Sequence, residues 1–320
     1  MKMKMNNLIK TILLSGGIAL GGAAYADNFP SKPLTMVIGW GAGGSTDIQG
    51  RVLANVLSEQ LGQPVNVVNR PGAGGGVALA QLANSRDAGY TFVFGTSMTV
   101  TFGPLSTPAT YDLDSFRYVA GVTLGQSAIV TGQNRPFSSW SELVAHAKAN
   151  PGVSYANQIA FDRFLIDYIA RQEGLNLRIV PTSGGAGMAP LILSGDVDFA
   201  YSGGTHSGYA ETGEMPVLVS LADDRLVAFP DAPTLRELGY EIDPGEIRVV
   251  MVPKNTPDNQ VQRLAEALEV ATRDPRFIEI TEGRILMPVV FMDGDAVYQD
   301  LAGKVESYKR IIEEMGGLSE

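Results

Sequence analysis

The chain has 320 residues, 45% of them apolar, with 34 acidic against 24 basic side chains and a formal net charge of −10. An acidic surface repels nucleic acid and anionic lipid, so neither is an expected partner. The absence of cysteine excludes disulfides, thiolate metal centres and cysteine-linked lipid anchors.

The N-terminus reads as a secretory signal peptide spanning residues 1–26. Lys2, Lys4 and Lys10 form a basic start, residues 11–23 an apolar core, and Ala24-Tyr25-Ala26 a small-x-small cleavage site. Cleavage after Ala26 leaves 21 basic residues against 34 acidic ones, a net charge of −13. The apolar core is shorter than the roughly 18 residues that a membrane span needs. The expectation is an exported protein long enough for two ordinary domains.

Strand and helix patterns then alternate. Strands are predicted over 34–40, 65–68 and 90–95, with helices over 46–61 and 77–86, the first placing Ile48, Val52, Leu53, Val56 and Leu57 on one face. A second series follows, with strands over 128–131, 153–156, 177–180 and 197–201 and helices over 139–149, 161–173 and 187–194. An apolar strand at 246–252 and helices over 258–273 and 293–315 close the chain. This alternation predicts an α/β protein with parallel sheets covered on both faces.

The most informative stretch is Leu34 to Arg51, where an apolar strand runs through a glycine-rich turn into an amphipathic helix. Gly41, Gly43 and Gly44 let backbone N–H groups approach an anion, and the first helical turn adds unpaired donors and a positive dipole end. Gly39, Gly41 and Gly44 match a dinucleotide-fold spacing, but the next strand ends in Asn69 and Arg70 rather than in an acid that could bind a ribose. A phosphate-binding P-loop needs Lys after its last glycine, whereas Gly44 is followed by Ser45 and Thr46. No nucleotide or other cofactor is expected. Further small or amide-rich turns follow at Asn69 to Gly75, Gly95-Thr96-Ser97, Ala156-Asn157-Gln158, Thr182-Ser183-Gly184-Gly185 and Ser202-Gly203-Gly204-Thr205-His206. All lie at the C-terminal ends of predicted strands, where open α/β sheets bind ligands.

These motifs resemble the substrate-binding proteins of tripartite tricarboxylate transporters, the Bug family. The resemblance rests on Phe29-Pro30-Ser31-Lys32-Pro33, Ala42-Gly43-Gly44-Ser45-Thr46-Asp47, Leu61-Gly62-Gln63-Pro64, Asn69-Arg70-Pro71-Gly72-Ala73-Gly74-Gly75 and Gly89-Tyr90-Thr91. Later echoes include Gly195-Asp196-Val197-Asp198 and Phe229-Pro230-Asp231-Ala232-Pro233-Thr234. It implies a two-lobed type II periplasmic binding fold, each lobe a mainly parallel sheet covered by helices, with residues 27–126 and 249–320 in lobe one and 127–248 in lobe two. The chain would cross near residues 121–127 and return near 244–248.

The resemblance further implies a small carboxylate, an aliphatic di- or tricarboxylate or an aromatic acid, held in the interlobe cleft. The receptor would deliver it to the membrane subunits of a tripartite transporter. Carried over, the ligand contacts are Ala42, Gly43, Gly44, Ser45, Thr46 and Asp47 from lobe one and Asn157, Gln158, Ile159 and Ala160 from lobe two. The rim residues Trp40, Ser97, Ser183, Gly184, Thr205 and His206 complete the candidate set. Asn157 to Asp162 departs from the usual run of Ser and Gly, and Gly203 to His206 from the usual acidic or amide residue and proline. For Asp47 a purely structural role at the first helical turn is the competing reading. An aromatic cleft flanked by Trp40 and Phe161 would suit a ligand with a flat or apolar body.

Enzyme alternatives, a secreted α/β hydrolase or lyase, meet a short residue list. His146 and His206 are the only histidines, and no G-x-S-x-G elbow frames Ser183, Ser202 or Ser207. Neither histidine has a neighbouring ligand for zinc, so no metal is expected. A sensor for a membrane kinase would differ from the transport receptor only in its partner.

Overall fold

The computed structural model describes residues 29–87, 89–182 and 184–318, so the expected signal peptide and Ser183 lie outside the described residues. The opening series is β1 (Leu34–Ile38), α1 (Ser45–Leu61), β2 (Val65–Asn69), α2 (Gly76–Ala83) and β3 (Thr91–Thr96). Two short helices, α3 (Met98–Thr101) and α4 (Gly103–Ser106), lead to β4 (Phe116–Leu124). The second series is β5 (Ala128–Thr131), α5 (Trp140–Ala149), β6 (Val153–Asn157), α6 (Ala160–Glu173), β7 (Leu177–Pro181), α7 (Gly185–Ser194), β8 (Phe199–Ser202) and β9 (Val217–Ser220). The chain ends with β10 (Ile247–Pro253), α8 (Asp258–Ala271), α9 (Pro275–Ile278), β11 (Val289–Asp293) and α10 (Gly294–Glu314). The periodicity anticipates the longer helices and the central strands. It leaves out β4, β9, β11 and the short helices α3, α4 and α9.

Two sheets organise the fold as an α/β protein of two lobes. The first has the strand order β11-β4-β10-β3-β1-β2 and the second β7-β6-β8-β5-β9. Pairings of β1 with β2 and β3, and of β6 with β7 and β8, are parallel, as expected for strands joined through helices. The sheets are nevertheless mixed rather than wholly parallel. Strand β10 is antiparallel to β3 and β4, and β5 is antiparallel to β8 and β9. Both strands are entered from outside their own sheet, without a crossover helix to turn the chain around.

Helix α1 settles on its sheet through Leu53, Val56 and Leu57 of the face its apolar period suggests, with the buried face extended to Gln49 and Gly50. Thr46, Gln49, Gly50, Leu53 and Leu57 are buried, whereas Ile48 and Val52 are only half-buried. The reason is close approach: a Cβ at Gly50 would lie 2.6 Å from Ile38 Cδ1 and 3.0 Å from Phe94 Cδ1. Gln49 is accommodated in this interface by donating to Thr123 Oγ1 at 3.0 Å and Thr281 Oγ1 at 3.2 Å.

Two spans connect the sheets side by side. Residues 125–127 pass from β4 to β5, and the segment entering β10 runs against them, with Gly125 N–H donating to Glu246 O at 2.7 Å. A Cβ at Gly125 would sit 2.0 Å from Glu246 Cγ, so the crossing requires glycine.

One hydrophobic cluster also spans the lobes. Met98 and Phe102, beside the first sheet, pack with Phe161 and Phe164 of α6 and with Tyr308 and Ile311 of α10. Phe102 stacks on Phe164 with centroids 4.9 Å apart and meets Phe161 and Tyr308 edge-on at 5.3 Å and 5.8 Å. Removing a fully buried ring leaves a cavity that neighbours fill only in part. Phe102→Ala is therefore expected to lower unfolding stability by about 3–5 kcal/mol, read from the shift of the urea midpoint.

Candidate functional site

The glycine-rich loop after β1 is shaped by close backbone contact. A Cβ at Gly39 would lie 2.7 Å from Gly75 Cα, so this loop and the one at residues 72–75 touch backbone to backbone. Gly43 adopts φ +84°, a left-handed conformation suited to glycine. Ala42, Gly43 and Gly44 are exposed, and Gly44 caps α1 without a side chain. Asp47 reaches back instead, accepting the Gly43 N–H at 2.9 Å, Arg51 at 2.9 Å and Asn69 Nδ2 at 2.8 Å. Burial opposes its charge, but the Arg51, Gly43 and Asn69 hydrogen bonds together hold its pKa below the ordinary value. Both carboxylate oxygens are engaged within the first lobe, which answers why an acid stands beside an anion loop.

Behind this loop lies a buried ion pair that sequence reasoning missed. Arg248 and Glu246, two residues apart in the chain where it enters β10, face each other at 3.6 Å with side chains only 5% exposed. The guanidinium donates to Thr46 Oγ1 and reaches Ser45 Oγ at 3.5 Å. Glu246 Oε2 accepts from Thr96 Oγ1 at 2.7 Å. A signal was present in the sequence: two opposite charges at i and i+2 where an apolar strand begins share one face. Ser97, buried beside the pair, accepts the Ile247 N–H at 3.0 Å and holds the start of β10.

The second-lobe loop between β6 and α6 repeats the design of the first. Asp162, the third residue of α6, accepts the N–H groups of Gln158 at 2.8 Å and Ile159 at 3.3 Å. Gln158 Nε2 donates to Tyr201 O at 2.6 Å, while Asn157 O accepts Thr182 N and Oγ1, each at 2.8 Å. The amides of Ala160 and Phe161, at the start of the helix, have no carbonyl one turn back and remain available. Burial pushes the Asp162 carboxyl up to about 7 despite its hydrogen bonds.

Between the lobes lies a cleft of 590 Å³. Of the candidate residues, Trp40, Asn157, Gln158, Ile159 and Ala160 line it, together with Phe161. The Trp40 side chain makes no hydrogen bond within the described residues, so its indole N–H is free for a ligand. Ser45, Thr46 and Asp47 sit at the start of α1 outside the cleft wall. Near them the second lobe closes in: a Cβ at Gly204 would lie 4.0 Å from Ser45 Oγ and 2.8 Å from Met287 Cε. Sequence reasoning also missed the wall formed by α2, α3, α4 and residues 107–111, which carries no glycine-rich signature.

The remaining rim candidates are held by local packing. Gly184 caps α7 at φ +96°, and Thr205 fills the space that a Cβ at Gly185 would need, with Oγ1 only 1.9 Å from it. His206 is buried, its Nδ1 2.9 Å from Ser202 Oγ, its ring 5.3 Å from Phe229 and its Nε2 without a partner. Burial holds it neutral, with a pKa pushed down to about 3.

Asp162 and His206 carry opposite pH linkage. Asp162 binds its proton more tightly folded than unfolded, so its contribution is present below pH 3.8 and is lost as pH rises towards 7. His206 does the reverse, and its contribution is lost as pH falls from 6.5 towards 3. Thermal denaturation between pH 4.5 and 6.5 is expected to show a nearly flat parent profile. His206→Leu should lose stability as pH rises across that range, and Asp162→Asn should lose it as pH falls.

Comparison with known proteins places this geometry in a family. The sequence pattern of the tripartite tricarboxylate transporter family receptors matches residues 50–317. A UPF0065 protein of Cupriavidus necator is 32% identical over 305 residues, covering 94% of this chain and 93% of that protein. BugT of Bordetella pertussis is 30% identical over 329 residues, covering 98% and 99%. The structure of MatC from Rhodopseudomonas palustris, with bound malate, superposes with a TM-score of 0.78 at 22% identity, covering 89% of this chain and all of that one. The family consists of substrate-binding receptors rather than enzymes. This chain therefore belongs to the tripartite tricarboxylate transporter receptors of the Bug family.

Proposed function

We propose that the protein is a periplasmic receptor that captures a small carboxylate between its lobes and hands it to the membrane subunits of a tripartite transporter. Residues 1–26 would direct export and be removed after Ala26. Lobe one is assigned to residues 27–126 and 249–320, and lobe two to residues 127–248. The observation that carries the reading is the 590 Å³ cleft, lined by loops of both sheets and furnished with hydrogen-bond donors but no charged side chain. In such an environment a carboxylate is held by preorganised N–H groups, here the α6 amides of Ala160 and Phe161 and the Trp40 indole. Closing the lobes excludes water and strengthens these bonds, and the closed shape is what a membrane partner can distinguish from the empty receptor. The malate bound to MatC supports the ligand class by analogy of fold.

Ser45 and Thr46 enter as supports for the loop rather than as direct contacts, because Arg248 already reaches their oxygens. Their substitution should act through the position of the α1 start. Calorimetric titration of the mature protein with a panel of carboxylates is expected to give one-to-one binding, with the ligand recovered unchanged in mass. Trp40→Phe, which keeps an aromatic side chain but removes the indole N–H, should weaken that binding roughly ten- to hundred-fold. No binding of any carboxylate, or turnover of the bound one, overturns the proposal.

A further inference from the structure

We propose, resting on the receptor reading above, that the cleft is built for one carboxylate only, on a ligand whose remaining body is apolar. The two walls differ in what their side chains can give. The second-lobe wall offers the α6 N-terminal amides of Ala160 and Phe161, beside Asn157 and Gln158, whose side-chain amides already donate one hydrogen each to Ile159 O and Tyr201 O. The first-lobe wall offers the Trp40 indole N–H, which joins the α6 amides, and otherwise mainly carbon, from Val77, Ala80, Met98, Phe102, Pro108 and Ala109.

The hydroxyls on the first-lobe wall do not change this. A hydroxyl has one hydrogen, and here nearly all are already engaged. Thr96 donates to Glu246 at 2.7 Å, Thr99 to Gly74 O at 2.7 Å, Ser106 to Gly103 O at 2.9 Å and Tyr111 to Thr99 O at 3.2 Å. Thr107 leans on Gly103 O at 3.5 Å. With its hydrogen engaged, such a hydroxyl has only lone pairs left to offer, and lone pairs repel a carboxylate. Only Thr110, exposed at the rim, has a hydroxyl without a partner within the described residues.

Among the described residues, no Arg, Lys or His lines either wall. A second carboxylate placed against Val77, Ala80, Pro108 and Ala109, away from Trp40, would lose its water without gaining a counter-charge or a side-chain donor, an arrangement that buried charges do not tolerate. The acidic surface adds to the discrimination, because a dianion meets twice the repulsion that a monoanion does. A 590 Å³ space is within the roughly 300–1,000 Å³ range of pockets that enclose drug-sized molecules, so room for an apolar chain or ring is present.

The test uses matched pairs of probes. Hexanoate and adipate share six carbons and differ in the terminal carboxylate, and phenylacetate and 4-carboxyphenylacetate differ in the same way around a ring. Calorimetry on the mature protein should show at least one monoacid binding about tenfold or more tighter than its diacid partner. Ala80→Lys, which adds an ammonium group to the apolar wall, should narrow or reverse that ratio. Val77→Lys, at a position half open to solvent, serves if the first variant does not fold. Diacids binding as tightly as monoacids, or tighter, in the parent protein overturn the one-carboxylate assignment while leaving the receptor reading intact. Failure of all four probes, and of a wider carboxylate panel, removes the receptor reading and this inference with it.

Discussion

The contact between Glu246 and Arg248 is the constraint on which the arrangement of the cleft depends. Desolvating two charges costs several kcal/mol each, and their mutual attraction at 3.6 Å offsets this only with further hydrogen bonds. Those bonds come from two separate places, Thr96 at the end of β3 and Thr46 with Ser45 at the start of α1, while Gly125 at the crossing leaves room for the Glu246 side chain. A single pair thus ties the span between the lobes to two of the loops at the cleft. Charge has a structural use here, and the ligand-facing walls are left neutral.

The same division of labour appears in the two aspartates at the third positions of α1 and α6. Each folds back on the amides of the loop before its helix, so each loop is fixed by an acid from its own lobe. The amides of the first helical turn then remain for a guest. Asp47 is stabilised as a carboxylate by Arg51 and Asn69, whereas Asp162 has no cation and is held close to neutrality. The two lobes therefore reach similar loop shapes with different electrostatic reserves.

Much of this was legible in the chain. Helices such as α1, α5 and α6 announce themselves by period and by their glycine or serine boundaries, and β1, β5 and β6 by apolar runs ending at turn residues. What escaped has a common physical origin. Strands β4, β9 and β11 are completed by antiparallel partners far away in sequence, which no local period records. The face of α1 depends on Gly50, whose missing side chain lets the helix sink onto Ile38 and Phe94. In the site, the end of the first strand pointed to Trp40, and the family resemblance to residues 157–160. The apolar wall around Ala80 and Pro108 had no such marker, since small and apolar residues look the same in a core and in a cleft.

The joint of Phe102, Phe161, Phe164 and Tyr308 bears on how quickly a guest can leave. Three chain segments that meet there belong to α6, to α10 and to the junction of α3 with α4, and two of the four rings, Phe102 and Phe161, also line the cleft. Opening the lobes between the Phe102 segment and α6 would disturb these ring contacts. For the receptor proposed above, residence time would then depend on the friction of this aromatic bearing as well as on the bonds to the ligand. A docking partner that loosened this bearing would speed release without touching the guest.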